Sequence, residues 1–248
     1  MTQAVTPPEL VALTVAKLPG ALIAFDVDGV LAPIVDHVDQ SALTDGVAAA
    51  LTTLATRVQV TLLSGRSLNS LATLLDFPPG LHVIGSHGLE VHGSVGVELS
   101  GDEQDRYEVV TYLAREAAAL AGPGAWVEYK PASVVLHTRE AEPERVPDAI
   151  DWLAKRTASA VKHGHNVMEL LVRPTDKGTA LVTLAAELAA TSLVFLGDDV
   201  TDEDAFARMA PDDVSVRVGP GSTIARFRLP GAPAAAEFVI ALAGQLEG

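Results

Sequence analysis

Asp26 and Asp28 stand two residues apart at the end of an apolar run, Leu22-Ile23-Ala24-Phe25, with Gly29 directly after them. Side chains at i and i+2 of an extended segment point the same way, so the two carboxylates can face one site. Like charges that close are unfavourable unless a cation sits between them or one carboxylate keeps its proton. The chemistry this suggests is a Mg²⁺ site with one nucleophilic carboxylate and one acid/base carboxylate. The element that must position them is a buried strand, because the run is short, continuous and closed by a glycine. The carboxyl end of such a strand is where open α/β sheets bind ligands. An EF-hand loop does not fit: it has its glycine at position six and a Glu at twelve, whereas here Gly29 is at four and His37 at twelve.

A second acidic cluster follows a second apolar run. Gly197-Asp198-Asp199-Val200-Thr201-Asp202-Glu203-Asp204 holds five carboxylates within seven residues. Thr201 can cap a helix, and the later acids suit the positive end of its dipole. That explanation does not reach Asp198 and Asp199, which precede the cap. With Asp26 and Asp28 on an adjacent strand end, they supply oxygen ligands of the kind Mg²⁺ takes. Ser64-Gly65-Arg66 ends another apolar run just before a helix, where a hydroxyl and backbone N–H groups can cradle phosphate. Asp176-Lys177-Gly178 opens a helix at a position where the dipole disfavours lysine. A nucleophile, an acid/base, a ligand set, a hydroxyl and an ammonium together suit phosphoryl transfer.

The 248-residue chain has a formal net charge of −15 and no cysteine. The charge argues against nucleic acid or an anionic membrane as partner. Any anionic substrate must be drawn locally, by a bound cation and a few placed Lys or Arg. The lack of cysteine excludes disulfides, a thiolate nucleophile and Cys-ligated zinc. No run approaches the ~20 apolar residues of a membrane span. Met1 to Glu9 carries no Lys or Arg and so lacks the basic start of a secretory signal. A cytoplasmic monomer is expected.

The elements alternate. A short amphipathic start at 9–18 precedes the first strand. A polar loop covers 33–44, then Asp45 caps a helix to about Arg57. Strands at 58–63 and 82–84 flank a helix capped by Ser67, giving β-α-β-α-β. The pattern then changes: a small hairpin around Gly93 (90–92 and 96–99), a helix at 104–121, alternating strands at 126–130 and 133–138, a helix at 147–161 and a strand at 165–172. It resumes with a helix at 177–190, a strand at 192–196, a helix at 201–209, a strand at 214–218 and a helix at 234–246. The expected fold class is α/β: a doubly wound parallel sheet formed by 1–97 and 172–248, with an α+β insert at 98–171.

The order Asp26-x-Asp28, Ser64, Lys177, Asp198-Asp199 resembles the four motifs of the haloacid dehalogenase superfamily of phosphatases. Within it the chain is similar to trehalose-6-phosphate phosphatases. The marks are Ser64-Gly65-Arg66, Gly85-Ser86-His87-Gly88, Glu128-Tyr129-Lys130, His137-Thr138-Arg139, Gly164 to Glu169, Asp176-Lys177-Gly178 and the Gly197–Phe206 stretch. The resemblance implies that Asp26 attacks phosphorus to form an aspartyl-phosphate. Asp28 would protonate the departing sugar oxygen and then activate water, its carbonyl also binding Mg²⁺. Asp198 would ligate the metal, with Asp199 and Asp202 near it, while Ser64, Gly65 and Lys177 hold phosphate. The insert would be a cap, its Glu128, Lys130 and Glu169 contacting sugar hydroxyls, with Arg66, His87 and Arg139 as further substrate contacts. Glu128 and Lys130 could instead be a surface ion pair, and His87 and His137 structural histidines.

The chain departs from that family at Val30, where threonine is usual, and at Val27, often aromatic. The missing hydroxyl would remove a hydrogen bond to the Asp26 loop or the metal shell, altering rate rather than abolishing it. Two other functions fit the residues. One is the same chemistry on another sugar phosphate, of the sucrose-phosphate or mannosyl-phosphoglycerate type. The other is a module that senses a sugar phosphate without turning it over.

Overall fold

The computed structural model describes residues 2–35, 40–94, 96–164 and 166–247. His37 and the middle of the expected 33–44 loop lie outside them, as does His165 at the start of an expected strand. In chain order the elements are β1 (Gln3–Ala4), α1 (Pro7–Val15), β2 (Ala21–Phe25), α2 (Val47–Ala55), β3 (Gln59–Leu63), α3 (Leu68–Leu71), β4 (Leu81–Gly85) and β5 (Glu90–Val91). Then come α4 (Gly101–Ala121), β6 (Trp126–Lys130), β7 (Ser133–His137), α5 (Val146–Ala154), β8 (Ala160–Gly164) and β9 (Val167–Leu171). The last are α6 (Lys177–Glu187), β10 (Ser192–Gly197), α7 (Val200–Phe206), β11 (Val214–Val218), β12 (Phe227–Leu229) and α8 (Ala232–Glu247). They form two compact units, Met1–Ser94 with Asp176–Gly248, and Val95–Thr175.

The first unit is a doubly wound sheet in the order β1-β12-β11-β10-β2-β3-β4-β5. All its pairs are parallel except β4 with β5. β2 is buried along its whole length, because helices cover both faces. Ile23 and Phe25 join one apolar cluster with residues of α2 and α8. Leu22 and Ala24 point the other way, into a cluster with α6 and α7. β2 lies between β3 and β10, and the chain leaves it in opposite directions to reach them. Its carboxyl end is therefore the switch point where such sheets open a crevice.

Val27 and Val30 are fully buried within the first of those clusters. Val30 is thus packed among hydrocarbon side chains. Val30→Thr should leave turnover unchanged and lower stability by about 1–3 kcal/mol, the cost of an unpartnered buried hydroxyl. Urea midpoints and initial rates of the variant test this together.

The second unit has an antiparallel sheet in the order β6-β7-β9-β8. α4 and α5 cover one face through Val110, Leu113, Ala117 and Leu153, packed on Val134, Leu136, Met168 and Leu170. Alternation puts Glu128, Val135, Glu169 and Lys162 on the other face as one cross-strand row.

Several local expectations differ. The helix expected to reach Val161 ends at Ala154, and Ala160–Gly164 is an edge strand. Among the described residues, 96–99 has no strand. α2 is entered through Gly46, with φ at +84°, and no side chain caps it, so Asp45 is not the cap. Ser67 does cap α3, accepting the Ser70 N–H at 3.2 Å. Asp199, rather than Thr201, caps α7. Among the described residues no helix is long and apolar enough to cross a membrane.

Candidate active site

Four strand ends of the first unit converge. Asp26 follows β2 and donates its backbone N–H to the Leu196 carbonyl of β10 at 2.9 Å. Asp198 follows β10, Ser64 follows β3, and Ser86 and His87 follow β4. Parallel register sets these ends level, since Phe25 lies opposite both Leu62 and Leu196.

Asp26 is 5% exposed. One oxygen accepts the Val27 N–H at 2.7 Å; the other meets the Lys177 ammonium at 2.7 Å. Lys177 lies at the first turn of α6, capped by Asp176, and is 2% exposed. It donates equally to Asp202, also at 2.7 Å. The second Asp202 oxygen accepts the N–H groups of Asp198 and Asp199 at 2.8 and 3.0 Å. Asp202 therefore does two jobs, fixing the acidic loop and sharing the ammonium.

Carboxylate oxygens of Asp26, Asp198 and Asp202 all lie within 4.8 Å of one another. One ammonium faces three carboxylates, and the electrostatics register the deficit. Burial raises the Asp26 carboxyl well above its usual range, and Asp202 and Asp198 push it further up against the pull of Lys177. Burial, then repulsion from Asp202, raises Asp198 to about 7. Lys177 is held firmly protonated: burial works against its charge, and Asp202 and Asp26 outweigh that. An oxygen-rich cluster short of positive charge fits a hard divalent cation. Because these carboxyls titrate above their unfolded value of 3.8, the folded chain binds more protons, and metal-free stability falls as pH rises from about 4 to about 7. A divalent cation should thus raise the melting temperature more at pH 8 than at pH 5.5. Equal shifts at both would show that it does not displace protons from this cluster.

Asp28 lies outside that cluster of three. Arg66 grips both its oxygens, Nε and Nη2 each at 2.6 Å, and also donates to Ser70 Oγ at 3.2 Å. Arg66, expected to contact substrate, here orients Asp28. Asp199 is exposed and spends its carboxylate on capping α7. Ser64 is buried, and its Oγ accepts the Arg66 N–H at 3.2 Å. α3 is a single turn, so little helix dipole acts there, and an anion would be held by the Ser64 hydroxyl and the Gly65 backbone. The His87 imidazole packs on Gly65, where a Cβ would lie 2.7 Å from it. Gly29 is equally constrained: its φ is +75°, and a Cβ would fall 1.9 Å from the Asp198 carboxylate.

The remaining expected residues belong to the second unit. Lys130 and Glu169 are buried and 3.3 Å apart. Ser133, which the sequence reading passed over, donates to the same Glu169 oxygen at 2.6 Å. It stands opposite Lys130 across β6 and β7, a pairing visible once the hairpin register is known. Glu128 is bound by His137 Nε2 at 3.0 Å. Arg139 is exposed just beyond β7.

A trehalose-phosphatase family profile matches residues 24–231. The trehalose-phosphate phosphatase of Mycobacterium avium is 37% identical over 249 residues, covering 91% of this chain and 62% of the relative. The chain thus spans less than two thirds of that relative. The trehalose-6-phosphate phosphatase C-terminal domain of C. albicans has the same fold, with a TM-score of 0.81 at 24% identity over 98% of both chains. So does the C-terminal domain of the Candida albicans trehalose synthase regulatory protein, at a TM-score of 0.68 and 13% identity, covering 96% of this chain and 99% of that one. With a family match across most of the sequence, the chain belongs to the trehalose-phosphatase family.

Proposed function

We propose that the protein is a Mg²⁺-dependent phosphatase that hydrolyses trehalose 6-phosphate to trehalose and inorganic phosphate, acting in the cytoplasm as a monomer. The observation that carries this reading is the Asp26 carboxylate, buried, oriented by the Val27 N–H and Lys177, and two residues from a second carboxylate that Arg66 holds in place. An Asp26 oxygen attacks phosphorus, and the bond from phosphorus to the sugar oxygen breaks. Asp28 gives that oxygen its proton. Water then attacks phosphorus, Asp28 takes a proton from it, and the aspartyl bond breaks to release phosphate. An arriving phosphoryl group offers Arg66 a competing anion, which frees an Asp28 oxygen for proton transfer.

An ammonium has three N–H donors. Lys177 commits two, to Asp26 and Asp202, which leaves a third for a phosphate oxygen, beside the Ser64 hydroxyl. Asp26 and Asp198 would hold the cation, with Asp202 completing their surroundings. When bound, it neutralises charge between phosphate and carboxylates so that nucleophile and substrate can approach. Glu128, Lys130 and Glu169 take sugar hydroxyls, which makes the second unit the specificity cap.

The related regulatory protein of the same fold keeps a sensing role in view as a second reading. Its test is phosphate release from a panel of sugar phosphates, with Mg²⁺ and with excess EDTA. EDTA-sensitive release confined to trehalose 6-phosphate is expected. Release centred on another sugar would move the substrate and leave the chemistry. No release from any would favour sensing.

A further inference from the structure

The polar face of the second unit ends in an aromatic group with no part in the scheme above. Trp126 opens β6, an edge strand of its sheet. Its indole stacks on the His137 imidazole, with ring centroids 3.8 Å apart and planes 3° from parallel. Cross-strand register explains the encounter, since Trp126 lies opposite His137. Glu128 binds His137 Nε2 at 3.0 Å and so stops the imidazole from turning. One indole face is thereby covered and braced. Trp126 is still 49% exposed.

A rigid, half-open indole is an unusual way to finish a strand. Burying it would gain far more than the edge of a sheet does. Its immobility gives it a use, because a pre-oriented aromatic binds a flat partner at little entropic cost. A glucopyranose ring carries axial C–H groups on its faces and hydroxyls on its rim. An indole suits the face, and carboxylates and an ammonium suit the rim. Trp126, Glu128 and Lys130 share one face of β6 by alternation. From Trp126 to Lys130 is roughly 13 Å along the strand, longer than one pyranose ring.

We propose that Trp126, braced by His137, is a stacking platform for one of the two pyranose rings of a disaccharide phosphate. The inference rests on the reading of Glu128, Lys130 and Glu169 as sugar contacts. It adds a reason for choosing a disaccharide over a monosaccharide: a hexose phosphate held at Lys130 and Glu169 would leave the indole unused.

The chain has two tryptophans, Trp126 and Trp152. In Trp152→Phe, a site outside the binding face, Trp126 is the sole indole reporter. Titration of that full-length variant with trehalose should change its emission saturably, and glucose should do so only weakly. In the parent background, Trp126→Ala should raise KM for trehalose 6-phosphate about fivefold to tenfold with kcat nearly constant. Trp126→Phe should restore most of the loss, and His137→Ala should move KM the same way by freeing the indole. A KM unchanged in Trp126→Ala, or a lowered melting temperature as its only effect, would overturn the platform and leave the indole as a brace for the sheet edge. No trehalose 6-phosphate turnover by the parent chain would instead overturn the substrate reading. The emission titration then decides the platform alone, with a silent indole at saturating trehalose counting against it.

Discussion

Asp26→Asn should reduce phosphate release by at least about 10³-fold while the protein stays folded. The amide has nearly the same shape and cannot form the acyl-phosphate, so the covalent route is lost. Stability should move the other way. Asp26 is buried among like charges that push its carboxyl upward, so an ionised Asp26 is a burden on the metal-free chain at neutral pH. Removing its charge relieves Asp198 and Asp202, and Lys177 keeps Asp202 at 2.7 Å. The melting temperature without metal should therefore be equal to or higher than that of the parent. Rapid quench with labelled substrate provides the chemical check, with acid-stable label on the parent protein and none on the variant. A variant that still turns over at the parent rate would dismiss Asp26 as nucleophile.

Lys177→Met should be more damaging, because it removes both function and structural balance. The ammonium is 2% exposed and sits between two carboxylates at 2.7 Å each. Methionine has similar bulk and no charge, which leaves buried anions facing one another. Breaking a buried pair from one side costs about 3–5 kcal/mol, about a fifth or more of the stability of a typical domain. Activity should disappear with it, since no ammonium remains for the phosphate. Pairing this change with Asp26→Asn should recover part of the stability and none of the activity. A double-mutant cycle followed by urea unfolding measures that coupling. Independent, additive losses would mean that the two side chains do not share one charge balance.

The candidate site is legible in the sequence where its polar groups sit beside a strong local signal. Asp26, Ser64 and Asp198 each follow a buried apolar run, and burial on both faces gives such runs their unmistakable pattern. Lys177 stands out because lysine is out of place in a first helical turn. The pairing of Arg66 with Asp28 was not legible, because it joins the loops after two different strands and depends on their spacing in space. Ser133, and the partner of His137, were hidden for the same reason, being fixed by hairpin register. The fold was read least well at its margins. β8, Ala160-Val161-Lys162-His163-Gly164, is mostly exposed and carries no apolar periodicity. No Gly or Pro marks the end of α5 before it, so the helix reading ran on. The Asp45 cap failed because Gly46 adopts a left-handed conformation and enters α2 without a side-chain acceptor.

The central pairing of β2 with β10 carries a consequence for biosynthesis. Ala21 and Ser192 are partners across it, with the whole of the second unit lying between them in the chain. A nascent chain that has reached Thr175 has all four strands of the second sheet, which is complete within its own stretch. The first sheet still lacks β10, β11 and β12, so one side of β2 is an open, wholly apolar edge. Such edges recruit other chains, and contacts this distant in sequence form slowly. The strand that ends at Asp26 thus stays open on one side until β10 has been made. Chains stalled between the end of the insert and β10 should aggregate, and the lag before activity appears on refolding should report the closing of this one seam.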